Sequence, residues 1–473
     1  MAGDLIAALV ALLGERHVIV DPAELAALAQ DGRGATGRPL CAVRPGDTGQ
    51  VARLVTLCRA HGAAVVPRGA GTGLSGGGCA DESGRQIVLL TDRLNAAPKI
   101  DRLNRTAEVG AGVRLSTLNA AAMAHGLFLP IDLGADPAIG GMIATNTGGA
   151  RLLRHGDMRR HVLAVEAVCG DGTVVQLGRG LWKDNSALDL KQLFIGAGGA
   201  TGIVTGATVA LDVAPQHQVT AMLALADPRA TPALLADAER RFGTLLTAFE
   251  GMSPRAMQAA FDHVPGLRPP FPGLPDAYAV MVELSGNALC DSDMLEEALA
   301  LWCEPRMTGP DAQVLDAVVD GGGRHWAIRH AIPEGIRARG QVIACDIAVR
   351  RGAIMEDRAL LIDQVARRWP GLQIHDFGHI GDGGLHFNMV WPTAAGPMPA
   401  GLADAVRTFV FDMVVNRLGG SFSAEHGVGP RNIRHYERLT PAAVQQLSAR
   451  VTSQFLPAPA AAAIPLSQTR NQG

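Results

Sequence analysis

Little in this 473-residue chain is aromatic, and its charge leans to neither side. Phe, Trp and Tyr make up 4% of it against 48% apolar residues in all, so its interior must be packed with aliphatic side chains. Lys and Arg number 42 and Asp and Glu 45, a formal net charge of −3, which excludes the basic footprint of a nucleic-acid binder. Cysteine is sparse: seven residues, at 41, 58, 79, 169, 290, 303 and 345, with no C-x-x-C pair. That odd, scattered set excludes a disulfide scaffold, a zinc ribbon and an iron–sulfur centre, and favours a reducing compartment. Long apolar runs are missing too. The opening run Leu5–Leu13 falls well short of the ~20 residues that span a bilayer, and Met-Ala-Gly-Asp lacks the basic flank of a signal peptide. No transmembrane segment is expected, and a cytoplasmic protein is. What the chain has in excess is glycine: 57 residues, well above the usual ~7%.

The length points to two or three domains, and the order of elements to an α+β fold. Residues 4–13 read as a helix stopped by Gly14, and Asp47 with Gln50 as a capping box opening a helix over Val51–His61. Strand-like runs follow at Ala63–Pro67, Ile87–Thr91 and Thr106–Gly112, then a helix over Leu115–His125. Asp171-Gly172 signals a hairpin between Val162–Cys169 and Thr173–Leu177, and Ile203–Asp212 reads as a closing strand. After Ala214-Pro215 helices (Thr231–Arg241, Asp291–Trp302, Ile354–Trp369) alternate with strands (Tyr278–Leu284, Gln341–Val349, Gln373–Asn388). Leu402–Leu418 reads as a final helix, and Pro457–Pro465 is low in complexity. The expected units are 1–213, 214–392 and a small, mostly helical segment 393–473, loose from about 456.

Half of the twelve residues Pro67–Gly78 are glycine. Such density lets successive N–H groups approach an anion without Cβ interference. Gly71-Thr-Gly-Leu-Ser-Gly76 spells G-x-G-x-x-G, yet no helix start follows it, as a Rossmann fingerprint requires. A non-Rossmann dinucleotide cradle competes here with a ligand-free surface loop. Two further glycine-rich stretches favour the cradle: Asp136–Gly149 (DPAIGGMIATNTGG) and Phe194–Val204 (FIGAGGATGIV).

These three stretches, in this order and with RHGDMRRHVL behind the second, resemble the FAD domain of the vanillyl-alcohol oxidase / p-cresol methylhydroxylase superfamily. The nearest branch is the FAD-dependent D-2-hydroxyacid dehydrogenases, which act on D-lactate, glycolate or D-2-hydroxyglutarate. The resemblance runs from about residue 40 to 432. It implies a two-subdomain p-cresol methylhydroxylase-type FAD-binding domain, an α+β substrate (cap) domain and a C-terminal segment completing the active site. It places Pro67, Arg68, Gly69, Ala70, Gly71, Thr72, Gly73, Leu74 and Ser75 around the FAD pyrophosphate. Pro137, Ile139, Gly140, Gly141, Thr145, Asn146, Gly148 and Gly149 would run along the flavin and ribityl chain, and Gly202, Ile203 and Val204 close the site near the adenine. Thr72 fills the loop position where tethering members carry His, which implies non-covalent FAD. Two motifs depart from the family: S-E-G-T-L-G is Ala197–Gly202 without its acid, and N-T-G-Y-D is Asn185–Asp189 (NSALD).

Separate chemistry is written into Phe377–Asn388 (FGHIGDGGLHFN). With Asp382-Gly383 as a two-residue turn, Gly381 would pair Gly384, Ile380 would pair Leu385, and His379 would pair His386 on one face. Two imidazoles at that separation suit one metal ion, and Asn388 would share their face. Two hydrogen-bonded structural histidines are the competing reading. Glu425-His426, set between glycines in Gly419–Gly429, favours the metal, since Glu425 offers a third ligand and leaves positions open as in catalytic Zn²⁺ sites. His379, His386, Glu425 and His426 also match the family's H-x-G-D-G-x-x-H and E-H-G-x-G motifs, with Gly384 in place of the usual Asn.

Oxidising a 2-hydroxyacid asks for a hydride acceptor, a cation that stabilises the alkoxide and a base. His426 is the candidate base and also a substrate contact. Arg329, in His325-Trp-Ala-Ile-Arg329, resembles the family's W-x-x-R clamp for the substrate carboxylate, and Asn388 is a further substrate contact. The Thr and Lys that grip a distal carboxylate in D-2-hydroxyglutarate enzymes are here Pro333 and Ala344. The expectation is FAD- and divalent-metal-dependent (Zn²⁺ or another cation) oxidation of a D-2-hydroxyacid, D-2-hydroxyglutarate first and D-lactate or glycolate second. Electrons would pass to electron-transferring flavoprotein or a quinone, and a homodimer is an admissible assembly. A metal-dependent hydrolase built on His379, His386 and Glu425 is the competitor from another class, and a non-catalytic flavin-binding subunit is a third.

Overall fold

A computed structural model describes residues 2–34, 37–309 and 312–456; the low-complexity stretch Pro457–Pro465 and the expected tail beyond it lie outside the described residues. The chain forms two compact units. The first comprises Met1–Gly148, Asp157–Ala214 and Glu425–Gly473, the second Gly149–Gly156 and Pro215–Ala424. The segment 393–473 read as one piece is thus shared between the two.

In the first unit, helix Ala2–Leu13 buries Leu5, Leu9 and Leu13 at i, i+4 spacing, and Gly14 ends it at φ +88°. Asp47 caps helix Thr48–Ala60 by accepting the Gln50 N–H at 2.7 Å, while Gln50 Oε1 accepts from Gly46 N at 2.7 Å. The anticipated reciprocal box is there, its return bond shifted by one residue. Both helices bury their apolar stripes in the aliphatic core of a small sheet. Its strands are β1 (Val18–Ile19), β2 (Cys41–Val43), β3 (Ala64–Arg68) and β4 (Gln86–Leu90), in the order β1-β2-β4-β3. β4 lies parallel to both β2 and β3.

A second, antiparallel sheet contains β5 (Lys99–Asp101), β6 (Thr106–Gly110), β8 (Val162–Val168), β9 (Val174–Leu177) and β10 (Ile203–Ala210), ordered β5-β6-β10-β8-β9. A short ladder joins β7 (Leu127–Phe128) to β11 (Asp212–Val213). Helix Leu115–Met123 contributes Leu115, Leu118 and Ala122 to this sheet's core. The β8–β9 hairpin forms as read, though its turn takes five residues, Cys169 to Thr173. Gly172 has φ +90°, and Asp171 Oδ1 accepts the Thr173 N–H at 2.8 Å.

The second unit is built on an eight-stranded sheet: β12 (His217–Leu225), β13 (Leu246–Met252), β14 (Tyr278–Gly286), β15 (Val314–Asp320), β16 (Gly340–Ala348), β17 (Gln373–Ile374), β18 (Phe377–Gly378) and β19 (Gly384–Pro392). The order is β15-β12-β14-β13-β18-β19-β16, with β17 also on β19. Helices Pro254–His263 and Arg324–Arg339 approach so closely that a Cβ on Gly335 would lie 2.4 Å from the Ala259 carbonyl oxygen. Two expectations are corrected. The helix from Ser292 continues past Trp302 to Thr308, although Pro305 in its last turn gives up the hydrogen bond to the Leu301 carbonyl. The run Gln373–Asn388 is three strands and a turn, because the chain reverses at 379–383.

Candidate active site

The reversal at 379–383 determines where the two histidines sit. Phe377, not His379, is the residue opposite His386, so the register is two residues from that of a two-residue turn. The reason is a wider loop. The His379 carbonyl accepts from the N–H groups of Asp382 at 3.1 Å and Gly384 at 3.2 Å, Asp382 Oδ1 accepts from Gly384 N at 2.8 Å, and Gly383 takes φ +97°. The two imidazoles still meet, with ring centroids 5.3 Å apart. His379 Nδ1 lies 2.7 Å from Glu250 Oε1, and His386 Nδ1 lies 3.4 Å from Asp346 Oδ1 on the facing strand β16. Asn388 is buried two residues along β19, opposite Ala344.

Arg329, on helix Arg324–Arg339, is buried with Glu250. Its Nε donates to Glu250 Oε2 at 2.7 Å, and its guanidinium stacks 4.5 Å from the Phe377 ring centroid. Glu250 is fully buried. Burial pushes its carboxyl up, but His379 and Arg329 together outweigh that and hold it below the ordinary carboxylate range. Arg329, His379 and His386 therefore share one polar cluster of the second unit, and Asn388 lies two residues from His386 along β19. An imidazole whose Nδ1–H goes to a carboxylate carries its lone pair on Nε2, the arrangement usual for a metal-binding histidine. His386 and Asp346 belong to a group of donor atoms within 4.8 Å of one another that suits a divalent cation; His379 is not in that group.

In the first unit, Pro67 and Arg68 end β3 and Gly69–Ser75 form the loop beyond it. Arg68 folds back, donating to Gly78 O at 3.1 Å and to Gln30 O at 2.8 Å. A Cβ on Gly69 would sit 3.1 Å from that of Ala138, so this loop runs against the second glycine stretch. Gly73 and Gly141 tell more. Neither has a positive φ, and a Cβ on either would meet nothing within 4 Å among the described residues. Neither backbone conformation nor packing among the described residues requires glycine at these two positions, and its presence leaves the main chain open to a ligand. Thr91 Oγ1, 3.9 Å from the same Gly69 Cβ position, is buried without a hydrogen-bond partner among the described residues. These features fit FAD.

The remaining cofactor candidates divide. Ile139 and Gly140 give their N–H groups to Val113 O at 2.9 Å and Ala111 O at 2.8 Å, which leaves Gly141 as the open member of that trio. Thr145 Oγ1 donates to Gly141 O at 2.9 Å. Asn146, in the left-handed region at φ +50°, is held by Asp157 at 2.6 Å and by the Arg159 N–H at 2.8 Å. The Pro137 carbonyl accepts from Leu115 N at 2.9 Å, and Gly148 ends the first unit as Gly149 begins a piece of the second. Gly202 closely approaches the Val168 carbonyl, while the side chains of Ile203 and Val204 are buried in the cores.

Ser75 fastens the Glu–His loop to the glycine loop. Its Oγ donates to the His426 carbonyl at 2.7 Å, its own carbonyl accepts from Arg431 N at 3.2 Å, and a Cβ on Gly429 would lie 2.2 Å from that carbonyl oxygen. Glu425 Oε1 and His426 Nε2 are 3.7 Å apart, both side chains partly exposed.

Two family models match the chain, an FAD binding domain at residues 39–178 and the C-terminal domain of FAD linked oxidases at residues 214–452. A D-2-hydroxyglutarate dehydrogenase of Xanthomonas citri is 34% identical over 421 residues, covering 86% of this chain and 85% of that one. The chain belongs to the FAD-linked oxidase family. Another relative of this FAD-dependent dehydrogenase, a D-2-hydroxyglutarate dehydrogenase of Stutzerimonas stutzeri, is 31% identical over 459 residues, 93% of this chain and 95% of that one. The structure of p-cresol methylhydroxylase with substrate bound shares its fold, at TM-score 0.72 and 15% identity over 96% of this chain and 94% of that one. The hydrolase alternative falls with this assignment.

Two carboxylates of the dehydrogenase carry no role in the sequence reading. Asp346 appears there only as a landmark in Asp346-Ile-Ala-Val, although its register places it opposite His386. Glu250 is the one charged residue in the otherwise uncharged strand Leu246–Met252. That lone acid in a strand buried along its whole length is the signal that could have found it.

Proposed function

We propose that the dehydrogenase oxidises D-2-hydroxyglutarate to 2-oxoglutarate, with non-covalent FAD and a divalent cation, Zn²⁺ first, and passes electrons to electron-transferring flavoprotein or a quinone. The observation that carries this is the 34% identity, over 86% of the chain, to a D-2-hydroxyglutarate dehydrogenase. Pro67–Ser75, Gly141 and the Thr145–Gly149 stretch would hold FAD, and His379, His386 and Glu425 the cation. Ala424 donates its N–H to the Asp346 carbonyl at 3.2 Å, and Glu425 is the next residue in the chain. When bound, the flavin supplies a hydride acceptor and the cation Lewis acidity toward the substrate hydroxyl.

The chain's own residues do the rest. His426 accepts the hydroxyl proton at an imidazole nitrogen, as a base whose ordinary pKa lies near neutrality. Arg329 and Asn388 bind the substrate carboxylate and orient Cα. Neighbouring side chains hold these residues in place: Ser75 Oγ donates to the His426 carbonyl, and the Glu250 carboxylate bridges Arg329 and His379.

One observation favours a second substrate class. Ala344 stands directly opposite Asn388, where the resemblance expects a lysine for a distal carboxylate, so D-lactate or another D-2-hydroxyacid with a short side chain is the alternative. Anaerobic mixing with D-2-hydroxyglutarate, D-malate and D-lactate in turn distinguishes them. The proposal expects flavin absorbance near 450 nm to bleach fastest with D-2-hydroxyglutarate. Faster bleaching by D-lactate transfers the assignment to the short acid, and bleaching by none overturns it.

A further inference from the structure

Glu250 comes from a strand that the motifs do not touch, and it meets two residues that they do. β13 pairs with β18 through Gly251 opposite Gly378 and Met252 opposite Phe377. The same register carried one step further sets Glu250 opposite His379. The two carboxylate oxygens are then divided: Oε1 lies 2.7 Å from His379 Nδ1 and Oε2 lies 2.7 Å from Arg329 Nε. The carboxylate has no exposure and Arg329 has 6%, so neither contact is loosened by solvent.

We propose that Glu250 is a positioning residue, which fixes His379 in the Nδ1–H tautomer for cation binding through Nε2 and holds the Arg329 guanidinium in the same cluster by its Nε. A carboxylate between two such partners accepts and does not donate, so the imidazole must place its proton on Nδ1. Its lone pair is thereby on Nε2, and the ring plane is set by a bond to a strand rather than to a loop. On the other side, bonding through Nε fixes the guanidinium plane while the terminal nitrogens remain the atoms of its bidentate edge. Net stability is a poor reason for such a group. A buried Arg–carboxylate pair is commonly matched or bettered by apolar side chains of similar volume. A single acid serving both a cation ligand and a carboxylate clamp accounts for a charge in this strand.

This inference rests on the cation site proposed above, so the test separates the two. The FAD-loaded enzyme, freed of metal, is dialysed to equilibrium against a Zn²⁺ series, and bound zinc is counted by mass spectrometry. The wild type is expected to bind one Zn²⁺, and Glu250→Gln to bind it about 10–100-fold more weakly with its FAD content unchanged. No zinc on the wild type overturns the cation site and this inference with it. Equal affinity in both proteins overturns the role of Glu250 and leaves the site standing. Should Glu250→Gln fail to fold, ¹⁵N shifts of ring-labelled histidine in the metal-free wild type decide the matter, His379 being assigned by difference from His379→Gln. A protonated Nδ1 supports the inference and a protonated Nε2 overturns it.

Discussion

The His426 ring and its backbone are held by different means, and that separates what a substitution there will do. Its carbonyl is bound by Ser75 Oγ, a contact that any residue at position 426 keeps. His426→Ala is therefore expected to retain FAD while slowing anaerobic flavin bleaching about 10²–10⁴-fold, the usual worth of a general base. A variant that bleaches at the wild-type rate would place the base elsewhere. His325 answers chiefly to burial. It has no exposure, its Nδ1 is 2.8 Å from Thr220 Oγ1, and burial drops its pKa from 6.5 to about 4. Between those values the unfolded chain holds a proton that the folded one refuses. Stability from this group is thus complete above pH 6.5 and is lost as pH falls toward about 4, by roughly 3 kcal/mol. His325→Asn, which can keep the Thr220 bond, should flatten that part of the pH dependence in urea unfolding, and an unchanged slope would contradict it. At this scale the sequence revealed residues whose type and spacing are unusual, such as His379, His386 and Glu425-His426. Asp346 escaped because nothing in its neighbours along the chain distinguishes it, and the lone acid Glu250 in an uncharged strand signals a buried charge without naming its partners.

The 379–383 turn shows how an element can be recognised and its register misplaced. Asp382-Gly383 does reverse the chain, but the Asp382 side chain and the His379 carbonyl both capture Gly384 N–H. This widens the turn and moves the pairing by two residues. Because the shift is even, the alternation of faces along β19 is kept, and His386 and Asn388 remain on one side. Gly383 is the pivot: its φ is +97°, and a Cβ would fall 2.3 Å from the Val349 carbonyl oxygen. Gly383→Ala is expected to cost at least about 1–2 kcal/mol from the left-handed backbone alone, lowering the calorimetric transition temperature and weakening Zn²⁺ binding together. A stable variant with wild-type zinc affinity would separate the turn from the site. Helix Arg324–Arg339 was the element least visible beforehand, because Pro333 and Gly335 interrupt its helical pattern. Packing explains both its persistence and the glycine, which meets the Ala259 carbonyl at a distance no side chain tolerates.

For the molecule as a whole, the cofactor and the cation should act as ligands of the folded state. FAD in 100-fold excess over its dissociation constant adds about 2.7 kcal/mol, so the melting transition should rise with FAD concentration. A chelator should abolish turnover without releasing the yellow colour, and Zn²⁺ should restore it; turnover indifferent to chelation would remove the cation from the mechanism. The interleaving of the two units was not visible in the chain. It leaves the first unit at Gly148, returns at Asp157, leaves again at Ala214 and comes back at Glu425, and only the departure near residue 214 carries a compositional mark. Among the described residues no helix is long and apolar enough to cross a membrane.

The amino-acid order alone determined the glycine-rich loops, the presence of a turn between the two histidines and the family, because each is written in particular residues at short spacings. Only the tertiary structure decided which acid meets which histidine. Glu250 and His379 stand 129 positions apart, and their meeting depends on the register of two strands, which no local periodicity encodes.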